Sequence, residues 1–176
     1  VMGEIVRGVI AAIALPVVAD ASALFHLSKH LSGLRDKPLI LTPHAGEFAR
    51  LSGRGTVAPE DRLARVRAFV AEHGITTLLK GRTTLIADRT SVHFNPTGTS
   101  ALATAGTGDV LTGIIGTLLA QGLAPVDAGR LGAYWHGRAG ALAGALRPVG
   151  VIAGDVADAL GRATDLPPGD DPLRIF

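Results

Sequence analysis

The sequence predicts a single layered α/β domain. Short runs rich in β-branched residues alternate with stretches in which apolar residues recur at helical spacing. The hydrophobic fraction of 47% argues against intrinsic disorder. A length of 176 residues fits one domain with a substantial core, and we find neither an internal repeat nor a linker. We therefore interpret residues 1–176 as one domain.

The first half of the chain predicts two buried strands and two helices after a helical lead-in. The first strand, at residues 16–20, ends in a carboxylate, and Pro43 stops the second at 39–42. A short helix at 45–51 follows, closed by a glycine. A longer helix at 59–72 has proline at its first turn and a glycine as C-terminal cap.

The second half begins with three more strands, joined by short polar segments. These strands, at 76–79, 83–87 and 91–94, predict antiparallel pairing after a parallel start. Residues 95–108 are too rich in Gly and Thr for a packed element, so we expect a loop. The next segment, 109–121, has one apolar stripe and predicts a helix.

Helices are predicted for the C-terminal part of the chain. Residues 125–146 form a long helix whose small residues suit close packing, and a last helix covers about 154–163. The tail L-P-P-G-D-D-P, residues 166–172, is expected to be loose.

Composition excludes several classes of function. A net charge of +2 without a basic run, and an aromatic content of 4%, argue against a nucleic-acid partner. With no cysteine there are no disulfides, no thiolate chemistry and no Cys-ligated zinc. The longest apolar run, residues 9–19, contains Pro16 and is too short to span a bilayer. With no signal peptide visible, we expect a cytoplasmic protein without a membrane partner.

The strongest local signal is A-T-A-G-T-G-D-V-L-T-G-I-I at residues 103–115. Gly106, Thr107 and Gly108 lead into a helix, where backbone N–H groups and the positive end of the helix dipole attract a phosphate. Asp109 is then either a helix cap or a general base that deprotonates a hydroxyl about to attack phosphorus. Beside a predicted phosphate site, we favour the general base.

A second segment, L-K-G-R-T-T, lies at the end of an apolar strand. Its lysine could simply be a solvated strand end, but the flexible glycine and two hydroxyls favour a contact with nucleotide phosphate. The P-loop pattern is absent, so this signal is weak alone. The residues concerned are Lys80, Gly81, Arg82, Thr83 and Thr84.

The third segment, L-T-P-H-A-G-E, places His44 and Glu47 three residues apart across a helix start. One interpretation is a capping box. The other places His44 against a substrate and Glu47 near a metal-bound phosphate or water, and the residues alone leave both open. Asp20 ends its strand at the sheet edge where α/β proteins place ligands, so it is either a cap or part of a site.

The remaining polar residues indicate structural roles. His26 and His30 are one turn apart but have no third ligand, which argues against zinc. Arg62, Arg65 and Arg67 are most simply the solvated face of a helix.

Together, these motifs resemble the ADP-dependent NAD(P)H-hydrate dehydratase family, which is ribokinase-like. The matching segments are L-T-P-H-A-G-E-F-A-R-L-S-G, L-L-K-G-R-T-T and N-P-T-G-T-S-A-L-A-T-A-G-T-G-D-V-L-T-G-I-I, within residues 16–163. The G-T-G-D segment is common to many ribokinase-like kinases, whereas T-P-H-x-G-E and N-P-T-G point to the dehydratase. The resemblance implies a three-layer sandwich, with a central, mostly parallel sheet and helices on both faces.

The resemblance also implies a reaction and a site. Hydrated NADH or NADPH, the (S)-hydrate, would be phosphorylated on its hydroxyl by ADP or ATP with Mg²⁺, and would then lose phosphate. In this scheme Asp109 is the catalytic base and also binds substrate with His44 and Asn95, while Glu47 lies near the metal. The adenine nucleotide is bound by Lys80, Gly81, Arg82, Thr83, Thr84, Gly106, Thr107 and Gly108.

The sequence departs from the family pattern in places. Ala45 stands where the family usually has proline, and Ser22 replaces a usual aspartate. Residues 1–15 contain no counterpart of the family's glycine-rich substrate segment, which predicts an N-terminally incomplete domain. The resemblance further implies a homo-oligomer, a tetramer, and a possible fusion to an epimerase domain.

Two other functions stay open at this stage. One is a ribokinase-like kinase of a small alcohol or vitamin precursor, and the other is a truncated nucleotide-binding chain without turnover. His44 argues against the first, because those kinases typically have Asn at that place in the turn.

Overall fold

A computed structural model describes residues 1–147 and 149–165, and in them five strands form one sheet in chain order. The first three strands are parallel, β4 pairs antiparallel with β3, and β5 pairs antiparallel with β4. Strand β5 therefore runs with β1 to β3, which confirms the parallel start and the antiparallel pairing after it. The strands are β1 (Val17–Ala19), β2 (Leu39–Leu41), β3 (Thr76–Leu79), β4 (Thr84–Ala87) and β5 (Val92–Asn95).

Helices cover both faces of the sheet, so the described part of the chain has three layers. One layer contains α1 (Met2–Ala12), α2 (Ser22–Leu27), α3 (Ala45–Ser52) and α4 (Arg62–His73). The other contains α5 (Thr107–Ala120) and α6 (Pro125–Leu146), and α7 (Ala153–Asp158) and α8 (Leu160–Ala163) pack on α6. Among these described helices, none is both long and apolar enough to cross a membrane.

Both faces of the central strands are apolar. On β2, Leu39 and Leu41 face the α1–α4 layer while Ile40 faces α5 and α6. On β4, Leu85 faces the α1–α4 layer and Ile86 faces α5 and α6. Successive side chains of a strand point to opposite faces, so the sequence of a strand covered on both sides is a continuous apolar run. Each such side chain contributes about 1.5–3 kcal/mol through burial.

Glycines of α6 allow the close packing that the sequence predicts. A Cβ on Gly129 would lie 2.7 Å from Cδ1 of Ile40, and one on Gly132 would lie 2.8 Å from Cγ1 of Ile115. Real Cβ atoms essentially never come so close. The two glycines therefore let α6 lie directly against the sheet and against α5.

Some element boundaries differ from the prediction. The helix predicted at 59–72 begins as a 3₁₀ turn at Pro59–Asp61 before α4, and the loop at 95–108 contains another at Ser100–Leu102. Helix α5 begins two residues early, at Thr107, because Gly106 turns the chain with a φ of 87°. The last predicted helix is two helices separated at Ala159. The tail at 166–172 lies outside the described residues.

The expectation that Arg62, Arg65 and Arg67 form a solvated helix face is wrong for two of them. Arg62 and Arg65 are partly buried and turn back to donate to backbone carbonyls, whereas Arg67 is exposed as expected. A long side chain can cover apolar surface with its stem and still place its charge on a distant loop. Helical spacing alone does not reveal such a contact.

Candidate active site

Charged side chains meet at the carboxyl edge of the parallel strands. Asp20 follows β1 directly and Lys80 follows β3. Nζ of Lys80 lies 2.9 Å from Oδ1 of Asp20 and 3.9 Å from Oε2 of Glu47, and the hydroxyl of Thr112 on α5 donates to Oδ2 of Asp20 at 3.2 Å. Helix α2 has no side-chain cap. Asp20 is therefore a member of this charged cluster rather than a helix cap.

His44 and Glu47 form the capping box that the sequence left open. Nδ1 of His44 accepts from the backbone N–H groups of Gly46 and Glu47, at 3.0 and 3.3 Å, and Oε2 of Glu47 accepts from the backbone N–H of His44 at 2.7 Å. Because Nδ1 is an acceptor here, the proton of the neutral ring is on Nε2. The side chain of His44 is still 56% exposed, so capping does not prevent contact with a ligand.

Arg62 holds the turn that carries Lys80. Its guanidinium donates to the carbonyl oxygens of Thr83, Leu79 and Lys80, at 2.9, 3.0 and 3.3 Å, and burial lowers the pKa of Arg62 from its usual value. Gly81 lies against this guanidinium, since a Cβ there would be 2.5–2.9 Å from its atoms. The glycine of the K-G-R-T-T segment thus makes room for the arginine that fixes the turn.

A cavity of about 610 Å³ opens beside Lys80. Its walls come from the turn after β3, the loop before α5, the start of α5 and the middle of α6. Its volume suits a small-molecule ligand, for which pockets of ~300–1,000 Å³ are typical. Seven of the predicted site residues line it, namely Lys80, Gly81, Arg82, Thr84, Asn95, Thr107 and Gly108. The fold therefore joins the two segments predicted to bind nucleotide.

Five predicted site residues do not line this cavity, namely His44, Glu47, Asp109, Thr83 and Gly106. The Thr83 carbonyl is bound by Arg62, and Gly106 is the N-cap residue of α5 with its carbonyl accepting from Asp109 and Val110. Both residues thus shape the segments that do line it.

The start of α5 presents backbone rather than side chain to the cavity. The hydroxyl of Thr107 is turned to the carbonyl oxygens of Leu102 and Thr104, at 2.7 and 2.9 Å, so it shapes the loop. The N–H of Gly108 has no hydrogen-bond partner among the described residues. A Cβ on Gly108 would lie 3.6 Å from both Oδ2 of Asp20 and Nζ of Lys80. A free amide and an ammonium group therefore lie close together, as an anion site requires.

Asp109 is the third residue of α5 and is exposed. The helix has no side-chain cap, and the carboxylate of Asp109 makes no hydrogen bond or ion pair within residues 1–147 and 149–165. The capping interpretation is thus not observed. The carboxylate is uncommitted, and Asp109 directly follows Gly108 in the chain.

Asn95 lies in the cavity wall, but both polar atoms of its side chain form hydrogen bonds within the protein. It is 5% exposed, its amide nitrogen donates to the carbonyl of Ala133 at 3.0 Å, and its oxygen accepts from the hydroxyl of Thr97 at 2.9 Å. Its contact with a substrate stays a prediction.

His136 is a cavity residue that the sequence did not single out. It lies on α6 and is buried, and its Nε2 has no hydrogen-bond partner in the described structure. In the sequence, a histidine among the small residues of a predicted helix does not indicate that it borders a cavity.

Comparison with known proteins identifies related sequences. Residues 2–162 match the family model of NAD(P)H-hydrate dehydratase. The chain is 48% identical over 134 residues to the bifunctional NAD(P)H-hydrate repair enzyme Nnr of Mycobacterium leprae, covering 74% of this chain and 28% of that protein. It is 46% identical over 153 residues to the ADP-dependent (S)-NAD(P)H-hydrate dehydratase of Neisseria meningitidis serogroup B, covering 82% and 51%.

Solved structures are similar over most of this chain. The ADP/ATP-dependent NAD(P)H-hydrate dehydratase of Bacillus subtilis, co-crystallised with ATP/Mg²⁺, superposes with a TM-score of 0.71 at 34% identity, covering 84% of this chain and 53% of that one. A ribokinase-like superfamily protein of Enterococcus faecalis gives 0.73 at 28% identity, covering 91% and 56%. The ribokinase-like fold is thus confirmed. The chain spans about half the length, or less, of these proteins.

Proposed function

Because the chain belongs to the NAD(P)H-hydrate dehydratase family, we propose that the protein restores NADH and NADPH from their (S)-hydrates at the expense of ADP or ATP. The observation that carries this proposal is the meeting of Lys80 and the free amide of Gly108 at one cavity. Asp109, whose carboxylate is uncommitted, directly follows Gly108 in the chain. This is the arrangement that transfer of a phosphoryl group to a hydroxyl needs.

The first step is phosphoryl transfer. The polyphosphate of ADP lies at Lys80 and at the N-terminus of α5, where the helix dipole and the Gly108 amide stabilise its charge. Asp109 takes the proton of the hydrate hydroxyl as the oxygen attacks the terminal phosphorus, and AMP leaves. The carbon–oxygen bond then breaks and phosphate leaves with the electron pair, an adjacent ring carbon loses a proton to water, and the double bond of the dihydronicotinamide forms again.

His44 and Asn95 position the substrate in this scheme. His44 offers the N–H at its Nε2, which lies 3.5 Å from Oε2 of Glu47, while its Nδ1 holds the start of α3. Asn95 acts from within the wall of the cavity, through its fixed orientation.

The residues present fit Mg²⁺ only together with the phosphates of the nucleotide. No group of three or more acidic or histidine side chains lies close enough to hold a metal in the described ranges. Mg²⁺ usually binds through one or two carboxylates plus substrate phosphates and water. Glu47, which faces Lys80 through one of its oxygens, would hold the ion through phosphate or water. There the ion would neutralise the charge of the phosphates.

Three further parts of the proposal concern the whole protein. It works in the cytoplasm, forms a homo-oligomer that is a tetramer, and acts together with an epimerase domain. The bifunctional name of the Mycobacterium leprae relative supports the last of these.

The Asp109→Asn substitution tests the proposal. Turnover of hydrated NADH with ADP, followed by recovery of reduced-nicotinamide absorbance, should fall about 10²–10⁴-fold, the usual contribution of a general base. The melting temperature should hardly change, because Asp109 makes no contact that the substitution would break. The ADP affinity should stay the same or rise, because one negative charge leaves the phosphate site. Asp61→Asn, another exposed aspartate near a helix start, is the control and should keep full turnover.

Two outcomes would contradict the proposal. A variant Asp109→Asn that keeps more than about a tenth of the turnover would exclude the general base. An unmodified chain that binds ADP but never restores NADH would exclude the dehydratase activity.

A further inference from the structure

His136 lies in the wall of the cavity with an unsatisfied polar atom. The residue is 8% exposed, and Nε2 has no hydrogen-bond partner in the described part of the protein. Leaving a buried polar group without a partner costs about 1–3 kcal/mol. Such groups are rare in folded proteins, and each needs a structural or functional explanation.

The ring of His136 is neutral near pH 7. Burial lowers its pKa, a hydrogen bond with the Thr107 backbone acts in the opposite direction, and the positive charge of Lys80 again lowers it. A backbone interaction that favours the protonated ring is that of a carbonyl acceptor. Nε2 is without a partner, so the tautomer that suits this interaction has its proton on Nδ1. Nε2 of the neutral ring is therefore a hydrogen-bond acceptor.

We propose that His136 determines nucleotide specificity, its Nε2 accepting a hydrogen bond from the nucleoside part of the ligand in the cavity. This inference rests on the proposed function, since it requires the cavity to hold an adenine nucleotide. The phosphate oxygens of ADP are largely ionised near pH 7 and act as acceptors, so they do not match this nitrogen. The donors that ADP offers are the ribose hydroxyls and the amino group of adenine, so Nε2 of His136 accepts a hydrogen bond from one of these.

The contact would distinguish nucleotides that share the same phosphates. Lys80 and the Gly108 amide recognise polyphosphate whatever base or sugar is attached to it. A buried acceptor instead rejects a ligand that lacks the matching donor, because its lone pair then stays unpaired. His136 thus complements the phosphate site.

The test compares three substitutions at His136 by calorimetry with ADP. His136→Leu removes both ring nitrogens at similar volume, and His136→Gln keeps a polar atom near the position of Nε2. His136→Asn keeps one only near the position of Nδ1. The Leu and Asn variants should bind ADP about tenfold more weakly, which corresponds to ~1.4 kcal/mol, and the Gln variant should recover most of the affinity. His26→Leu, which does not line the cavity, is the control and should bind normally.

Analogues of ADP identify the donor. The unmodified chain should bind one of 2′-deoxy-ADP, 3′-deoxy-ADP and inosine diphosphate about tenfold more weakly than ADP, the loss for one hydrogen bond of ~1.4 kcal/mol. The Leu variant should bind that analogue and ADP equally. A purely structural role, through the interaction of Nδ1 with the Thr107 backbone, predicts normal ADP affinity in His136→Asn, which keeps a polar atom near Nδ1. Our proposal predicts that the Asn variant loses affinity as the Leu variant does.

The possible failures are distinguishable. Normal ADP affinity in His136→Leu, or weakening of ADP and all three analogues to the same degree, would overturn the role of His136 and leave the proposed function intact. Absence of ADP binding by the unmodified chain would overturn both.

Discussion

Gly106 turns the chain into α5 with a left-handed backbone, and replacing it tests how the start of this helix is built. Its φ is 87°, and a Cβ placed there would lie 3.1 Å from Cβ of Ala153. A side chain in the left-handed region costs about 1–2 kcal/mol. Alanine also restricts the unfolded chain, which offsets about 0.4–1 kcal/mol. The close contact with Ala153 adds to the cost, so Gly106→Ala should lower the free energy of unfolding by ~1–2 kcal/mol.

Gly116 provides a matched control within the same helix. It lies in the interior of α5, and nothing lies within 4 Å of a Cβ built on it. Alanine is the better helix former, so Gly116→Ala should raise the free energy of unfolding by about 0.5–1 kcal/mol.

Urea unfolding followed by circular dichroism measures both free energies. The melting temperatures of the two variants should move in opposite directions, by about 2–4 °C per kcal/mol for a chain of this size. Only Gly106→Ala should also weaken ADP binding, because it alone displaces the Gly108 amide. Equal stability of the Gly106→Ala variant and the unmodified protein would refute the argument from backbone strain.

Two further substitutions test the site. Lys80→Ala should weaken ADP binding by roughly 1–3 kcal/mol in calorimetry, because a charge-assisted contact is lost and Asp20 no longer has its cation, whereas Lys29→Ala removes an exposed lysine and should have no effect. Unchanged affinity in the Lys80 variant would exclude the lysine from the nucleotide site. His44→Asn should raise the KM for the hydrate at unchanged melting temperature, because Asn still caps α3. His44→Ala should raise KM equally and also lose the cap, worth ~1 kcal/mol. A normal KM in the Asn variant would leave His44 with a capping role only.

Elements specified by neighbouring residues are predictable from the sequence. The joint between β4 and β5 is an example, because Oδ1 of Asp88 accepts from the backbone N–H groups of Thr90 and Ser91 at 2.8 and 2.7 Å. Burial alone would raise the pKa of Asp88, but these bonds and those from the two hydroxyls outweigh it and lower the pKa. An Asp followed by Thr and Ser makes such a turn with little help from the rest of the fold.

Contacts between distant segments are not predictable in this way. Because Asp20 and Lys80 each follow a strand, the sequence predicts that both lie at an edge of the sheet. That their charged groups form an ion pair depends on the order of the strands. The contacts of Arg62 with the turn after β3 depend on how α4 crosses the sheet. Helical periodicity shows which residues of α6 face the core, not that His136 borders a cavity.

Arg62 also affects the entropy that a ligand loses on binding. The guanidinium already holds three carbonyls of the turn in the free protein, and Asp20 already fixes the ammonium of Lys80. Ordering the backbone of a flexible turn would cost about 1–2 kcal/mol per residue, and ordering a long side chain about 0.5–1.5 kcal/mol more. These losses of entropy occur when the domain folds and not when the ligand binds. The interaction energy of a polyphosphate at this turn therefore contributes fully to affinity.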